Sequence, residues 1–337
     1  MSLLSISGLQ KRFNLEAGFF ARFGRFVYAV NNISFTIGKN EAYGLVGESG
    51  CGKTTTARLI VRMYEPDGGN IHFRQENDVA DVNALRGNEL RQYRQKVKYV
   101  FQDPARSLNP RMSVYDVLVA GLRHSETGSR LGAKQLRERA AAALDEVGLA
   151  ADDLDKRPSE FSGGQRQRIS IARSLLPQPQ LLICDEVVSA LDVSIQSQIL
   201  NLLLDIREKR IRDNRTMSFL FIAHDLKVAC YFCDRIGVMY AGCLVEEAPA
   251  ADLWKACRHP YTKMLFSSAT GTKPLTQMPS TQAKSAFALK AHSGGTMPYC
   301  AFAPRCPQAT ERCFLEPPPL VQVSAAHTIR CHNNNGY

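Results

Sequence analysis

The sequence predicts an α/β protein built on a parallel β-sheet. Short apolar runs alternate with helical patterns up to about residue 250. Each run ends at a polar residue or a glycine, and one leads straight into a glycine-rich loop followed by a helix. The runs are Tyr43–Val46, Lys98–Phe101, Leu181–Cys184 and Ser218–Ala223. Strands apolar on both faces suit a sheet covered on both sides, where ligands gather at the carboxyl ends. The helical patterns are Thr55–Met63, Gly132–Val147 and Gln165–Leu176. No internal repeat is visible, and no coiled-coil heptad persists.

Length and charge set wider limits. The 337 residues allow about two domains at roughly 150 residues each. Lys and Arg number 42 against 32 Asp and Glu, a net charge of +10. That excess is compatible with nucleic acid, anionic lipid or nucleotide phosphates and selects none of them. Runs such as Lys209–Arg215 read as solvated faces. The apolar stretches are far shorter than the roughly 20 residues of a membrane-spanning helix, so the chain is not expected to cross a bilayer. Met1–Phe13 has no export signal, so secretion is not expected. The ten cysteines are then thiols or metal ligands rather than disulfides.

The stretch Ser267–Thr296 is polar and rich in small residues and reads as a linker. Residues 298–331 hold six prolines and four cysteines, which predicts a small loop-rich module. The expected boundaries are a first domain over 1–250, with a helical part at about 103–176, and an extension over 251–337.

Gly47, Glu48, Ser49, Gly50, Cys51, Gly52, Lys53 and Thr54 fit the phosphate-loop pattern G-x-x-x-x-G-K-[ST], between a strand and a helix as the pattern requires. The glycines let backbone N–H groups curl inward onto phosphate oxygens. Lys53 would reach the β- and γ-phosphates, Thr54 would offer its hydroxyl to Mg²⁺, and Thr55 sits in the same first turn. The helix N-terminus adds partial positive charge. Downstream, Leu181–Cys184 carries the chain to Asp185 and Glu186. Asp185 could hold Mg²⁺ through water, and Glu186 could polarise an attacking water as general base. Cys51 and Cys184 fill space within these strings.

A second glycine-rich element, Phe161-Ser162-Gly163-Gly164-Gln165-Arg166, carries an S-x-x-Q capping box and predicts a helix start. Its first amides form another anion site with no lysine of its own. This string resembles the signature of ATP-binding-cassette ATPases. The resemblance implies a P-loop NTPase of that type: a RecA-like parallel core, a β subdomain, a helical signature subdomain and a small Cys/Pro-rich extension. In that family the signature of one subunit closes on the nucleotide held by its partner, so Ser162, Gly163, Gly164 and Gln165 are implied ATP contacts.

The other family elements follow in order. Gln102 matches the glutamine that approaches Mg²⁺ and the attacking water. Ser189–Asp192 resembles the loop that crosses the dimer interface, ending at Asp192. His224 looks like the histidine that contacts the γ-phosphate. Phe13 stands where the adenine-stacking aromatic is usual, with Phe26 and Tyr28 as rivals in a basic, aromatic insertion over residues 14–27. One position departs from the family, since Val187 rather than Pro follows Glu186. That removes a rigid φ but no chemical group.

Cys300, Cys306, Cys313 and Cys331 are separated by five, six and seventeen residues. That spacing alone leaves open a metal site or four unrelated thiols. Arg258-His259-Pro260-Tyr261-Thr262, Arg305-Cys306-Pro307, Pro317–Pro319 and Cys331-His332 resemble the C-terminal extension of oligopeptide and dipeptide importer ATPases. The resemblance implies a [4Fe-4S] cluster on the four cysteines, with Zn²⁺ second. It further implies an ATP-hydrolysing motor subunit, peripheral on the cytoplasmic face of a bacterial inner membrane. Its implied partners are a second, non-identical ATPase, two transmembrane permease subunits and an extracytoplasmic substrate-binding protein, with no nucleic acid. Peptides are the implied cargo. A cluster-regulated cassette serving other cargo such as nickel, or acting as a redox sensor, is the alternative. Cys230, Cys233 and Cys243 read as buried small apolar residues.

Overall fold

The structure is a computed structural model that describes residues 2–14, 26–75, 78–123, 128, 130–270 and 299–333. Its strands in chain order are β1 (Ser2–Asn14), β2 (Phe26–Gly38), β3 (Ala42–Val46), β4 (Gly68–Arg74), β5 (Val79–Asp81), β6 (Val97–Val100), β7 (Leu181–Asp185), β8 (Ser218–Ala223), β9 (Arg235–Tyr240), β10 (Cys243–Pro249), β11 (Leu320–Ser324) and β12 (His327–Arg330). The chain divides into two compact units that interleave in sequence. Gly38–Glu41 and Ala84–Phe221 form the first, and Ser2–Ile37, Ala42–Asn83 and Ile222–Tyr337 form the second.

In the first unit β6 runs parallel to β7, with Val97 opposite Leu181 and Val100 opposite Cys184. Every residue of β7 is buried, which is why its sequence is a continuous apolar run rather than an alternating one. Among the described residues, the helices Val114–Arg123, Ala133–Glu146, Gly163–Leu175 and Val193–Arg212 add to this core. Their buried residues recur at helical spacing, as in Val114, Val117 and Leu118, or Leu136, Ala140, Ala143 and Leu144. That period puts one apolar stripe on each helix.

The second unit holds two sheets. One has the order β2-β1-β4-β5, with Leu4 opposite Phe73 and Ile6 opposite Ile71 in an antiparallel ladder. Buried Ile33, Phe35 and Ile37 alternate with exposed Asn32, Ser34 and Thr36 along β2, the period of a half-buried strand. In the other sheet β3 is parallel to β9, whereas β9, β10, β12 and β11 follow as antiparallel neighbours. The core sheet is therefore mixed rather than purely parallel.

The expected loop-rich tail also differs. Strands β11 and β12 join this sheet through Glu246–Ile329 and Glu247–Thr328 pairs, so the tail extends the second unit. The block Pro317–Pro319 and a stretch of only four residues hide this hairpin from a composition-based reading. Smaller shifts occur at the edges. The helix after the phosphate loop begins at Lys53 and ends at Ile60, and Phe101 lies just past β6. The start of the expected linker is the helix Pro260–Thr270, whereas 271–298 lies outside the described residues. Residues 15–25 of the expected basic insertion do so as well.

Candidate functional site

The phosphate loop lies within the second unit. Strand β3, buried throughout, delivers it from the core at Val46. Gly52 sits at φ 109°, and a Cβ there would come within 1.9 Å of the Ala29 carbonyl oxygen. Only glycine fits this position. The next residue opens the helix, and its ammonium folds back into the loop. Lys53 Nζ donates to the carbonyls of Gly47 (2.7 Å) and Glu48 (3.0 Å). Ser49 and Gly50 are exposed at the crest, Thr54 and Thr55 are half-buried, and Cys51 is buried. Burial pushes the Cys51 thiol up, so it stays a neutral filler.

Two side chains from beyond residue 250 reach the same loop. The Glu48 N–H donates to the Tyr261 hydroxyl at 2.8 Å. Arg305 donates from both terminal nitrogens to the Glu48 carboxylate, at 2.7 and 2.8 Å. Sequence reasoning missed both residues. Each sits inside a string that carried the family resemblance, yet nothing in those strings tells which loop they touch.

Two further candidates belong to this unit. His224 is exposed directly after β8, and Asp225 caps the following helix by accepting from the Lys227 N–H at 2.8 Å. Phe13 is 37% exposed and meets Tyr64 edge-on at 5.5 Å. Its rival Phe26 has the Arg12 guanidinium 4.7 Å from its ring.

The first unit holds the carboxylates. Asp185, the last residue of β7, is buried and accepts a hydrogen bond from the Tyr99 hydroxyl. Tyr99 is the third residue that sequence reasoning missed. Glu186 turns the chain at φ 49°, a left-handed conformation that costs a non-glycine residue on the order of 1–3 kcal/mol. Its carboxylate accepts from Gln102 Nε2 at 2.8 Å, and its carbonyl accepts from the Ser189 hydroxyl at 2.8 Å. The structure thus joins Gln102 to Glu186 directly. Val187 is buried, so the departure from Pro places an apolar side chain in the core. Asp192 is exposed at the start of the helix Val193–Arg212.

The second glycine element forms the predicted capped helix. Ser162 Oγ accepts from the Gln165 N–H at 3.3 Å, and Gln165 Oε1 accepts from the Ser162 N–H at 3.0 Å. Ser162, Gly163 and Gln165 are exposed at its N-terminus. Thr54, Asp185 and Gln102 each offer an oxygen, the donor type that Mg²⁺ prefers.

In the tail, Cys300, Cys313 and Cys331 are buried and Cys306 is half-buried. The Cys300 N–H donates to the Cys313 carbonyl at 2.9 Å. Cys306 feels the charges of the other three, and burial pushes its thiol up to about 11. Cys300 and Cys313 are neighbours through their backbone hydrogen bond. Nevertheless, among the described residues no group of three or more His, Cys, Asp or Glu side chains is set to hold a metal ion. Cys230 and Cys243 are likewise pushed up to about 11 by burial, in keeping with small apolar fillers.

Nearby, Glu246 is buried and accepts from the backbone N–H groups of Arg258 (2.6 Å) and His259 (3.0 Å). It also pairs with His327 Nε2 at 2.8 Å. Burial alone would raise its pKa, but these hydrogen bonds hold the carboxyl below its ordinary range. The same burial pushes His259 down to about 4.

Residues 30–189 match the family described as ABC transporter, and residues 245–313 match the oligopeptide/dipeptide transporter C-terminal region. The chain is 40% identical, over 98% of its length and 90% of the relative's, to a probable peptide ABC transporter ATP-binding protein of Sinorhizobium fredii. It is 45% identical to the oligopeptide transport ATP-binding protein OppF of Bacillus subtilis, covering 79% of this chain and 82% of that one. Among solved structures it resembles the ATP-binding cassette MJ0796 in a dimeric, post-hydrolysis state bound to ADP and Pi. The TM-score is 0.62 at 26% identity, covering 73% of this chain and 98% of that one.

Proposed function

The chain belongs to the ABC transporter ATPases of the oligopeptide/dipeptide importer type, and on that premise we propose that it is the ATP-hydrolysing motor of a peptide importer. The single observation that carries the nucleotide half of this reading is the buried Lys53 ammonium folded onto a glycine loop at a helix N-terminus. Gly47–Thr55 bind the phosphates, and Lys53 takes the β- and γ-phosphoryl oxygens. Phe13 stacks on the base. Asp185, Thr54 and Gln102 hold Mg²⁺, which supplies charge neutralisation at the transferring phosphoryl group.

Glu186 receives the proton of the attacking water, and the Gln102 amide orients its carboxylate. Tyr99 aims Asp185 by donating a hydrogen bond to its carboxylate. His224 contacts the γ-phosphate. Ser162, Gly163, Gly164 and Gln165 complete the site of a second ATPase subunit, a non-identical one, with Asp192 at the shared interface. Two permease subunits and a substrate-binding protein make up the rest of the importer, which places this chain on the cytoplasmic face of the membrane. Among the described residues no helix is long and apolar enough to cross a membrane, so the permeases supply the path. Residues 1–250 act as the cassette and 251–337 as the extension.

The same reading assigns the tail a [4Fe-4S] cluster on Cys300, Cys306, Cys313 and Cys331, with Zn²⁺ as the alternative. Four cysteine thiols in one short segment support a soft metal. Anaerobic purification with iron and acid-labile sulfide assays tests it: about four of each per chain is expected, and stoichiometric zinc or no metal refutes the cluster. Co-purification of the chain with integral membrane permeases, together with peptide-stimulated ATPase activity of the assembly, tests the motor. Recovery without membrane partners, or ATPase activity blind to peptide, refutes it.

A further inference from the structure

We infer that Arg305 and Tyr261 are positioning residues for the phosphate loop, clamping Glu48 so that the extension sets how well the loop receives ATP. The inference rests on the nucleotide reading above and goes beyond it, because it gives residues outside the cassette match (30–189) a part in the ATP site.

The second residue of the loop is an acid. A carboxylate beside a seat for a polyphosphate has the wrong sign and opposes binding unless it is neutralised. Arg305 neutralises it in the strongest available geometry, with two parallel N–H donors on the two carboxylate oxygens. The side chains of Arg305 and Glu48 are 31% and 41% exposed. A pair so exposed contributes little to stability. Its main effect is therefore on the field at the loop rather than on the fold.

Tyr261 acts on the backbone. The Glu48 N–H it accepts shares one peptide plane with the Gly47 carbonyl, and the two groups point in opposite directions across that plane. The Gly47 carbonyl holds Lys53 Nζ at 2.7 Å. Fixing one end of the plane therefore fixes the cradle of the phosphate-binding lysine at the other. Tyr261 is itself immobile: it is fully buried, with ring centroids 4.6 Å from Tyr240 and 5.4 Å from Phe302. The same two rings flank the Arg305 guanidinium, at 5.6 and 5.9 Å. Arg305 also ends the short turn Ala303–Arg305, where its N–H donates to the Phe302 carbonyl at 2.9 Å.

The test uses the full-length chain, measuring ATP affinity, KM, kcat and thermal unfolding for wild type, Arg305→Ala, Arg305→Lys, Glu48→Gln, Glu48→Gln/Arg305→Ala and Tyr261→Phe. Arg305→Ala is expected to weaken ATP binding about five- to tenfold, as an uncompensated charge near the phosphates should, with the penalty shrinking at high salt. KM rises while kcat stays within about twofold. Arg305→Lys recovers most of the affinity, because a lysine restores the charge without the fork. In the Glu48→Gln background the Arg305→Ala penalty falls below about twofold, since no carboxylate remains to be cancelled. Tyr261→Phe weakens binding less than Arg305→Ala does.

Wild-type affinity in Arg305→Ala overturns the proposal. So does an equal penalty in both backgrounds, which would mark a structural role alone. A wild-type chain that binds no ATP would bring down the nucleotide reading and this proposal with it, an outcome distinct from the other two.

Discussion

Two helices of this chain begin at glycines, Lys53–Ile60 after Gly52 and Gly163–Leu175 after Ser162, and they are built for different tasks. Both present backbone N–H groups with the positive end of the helix dipole. The first is fed by a fully buried strand and carries a buried lysine in its first turn. The second is capped by its own serine and glutamine, is exposed, and has no lysine there. A site with its own cation holds a polyanion unaided. A site with dipoles alone adds to a charge that something else already holds. On the proposed function, the difference assigns nucleotide capture to the first helix and completion to the second.

The sharpest way to break that contrast is to remove the cation. Lys53→Ala should lower ATP affinity by two orders of magnitude or more, since a buried charge-assisted contact to phosphate is lost; equilibrium binding checks it. Glu186→Gln comes next. It should lower turnover about a hundredfold or more while ATP binding persists, because only the proton acceptor is gone; single-turnover kinetics beside a binding isotherm separate the two.

Ser162→Ala tests the other helix. It removes a cap worth about 1 kcal/mol and should lower turnover roughly tenfold, with ATP binding to the separate chain unaffected. Equal loss of binding in Lys53→Ala and Ser162→Ala would erase the distinction between the two helices.

The smallest effects lie in pH, and they fall in separate windows for the two units. His259 in the second unit is held near 4 by burial, with the Glu246 carboxylate accepting its backbone N–H and Phe302 against its ring. The folded state therefore binds fewer protons than the unfolded one between about 6.5 and 4, so stability is lost as pH falls through that window. Glu246, held low, adds to the loss in the same direction. Lys98 in the first unit is pushed down to about 8 by burial and by Arg173. Here the folded state sheds its proton first, so stability rises between about 8 and 10.5. Hydrogen exchange followed across pH should show the acid window in residues 222–333 and the alkaline one in 84–221. His259→Asn should flatten the first, and Lys98→Met the second.

What could be read from the sequence was whatever a short string must do locally. The phosphate loop, the Ser162 cap and the strand ending at Asp185 each need particular residues at fixed spacing, because the backbone itself makes the contact. The Glu48 clamp was illegible for the opposite reason. Tyr261 and Arg305 lie more than 200 positions from Glu48, and no local rule links them. Tyr99 is legible in the sequence only as part of the run Lys98–Phe101, since its hydroxyl partner comes from the next strand over. The β11–β12 hairpin was lost behind Pro317–Pro319, where a turn signal outweighs four residues of strand pattern.

Whether the exposed serine-capped helix closes a nucleotide held by another chain is tested most directly by sedimentation velocity. Glu186→Gln chains, alone and mixed with the partner ATPase, would be run with and without ATP and Mg²⁺. An ATP-dependent two-chain species that disappears when Ser162→Arg is added is the predicted result. Saturating ATP bound to single chains, with no two-chain species in either sample, would contradict it.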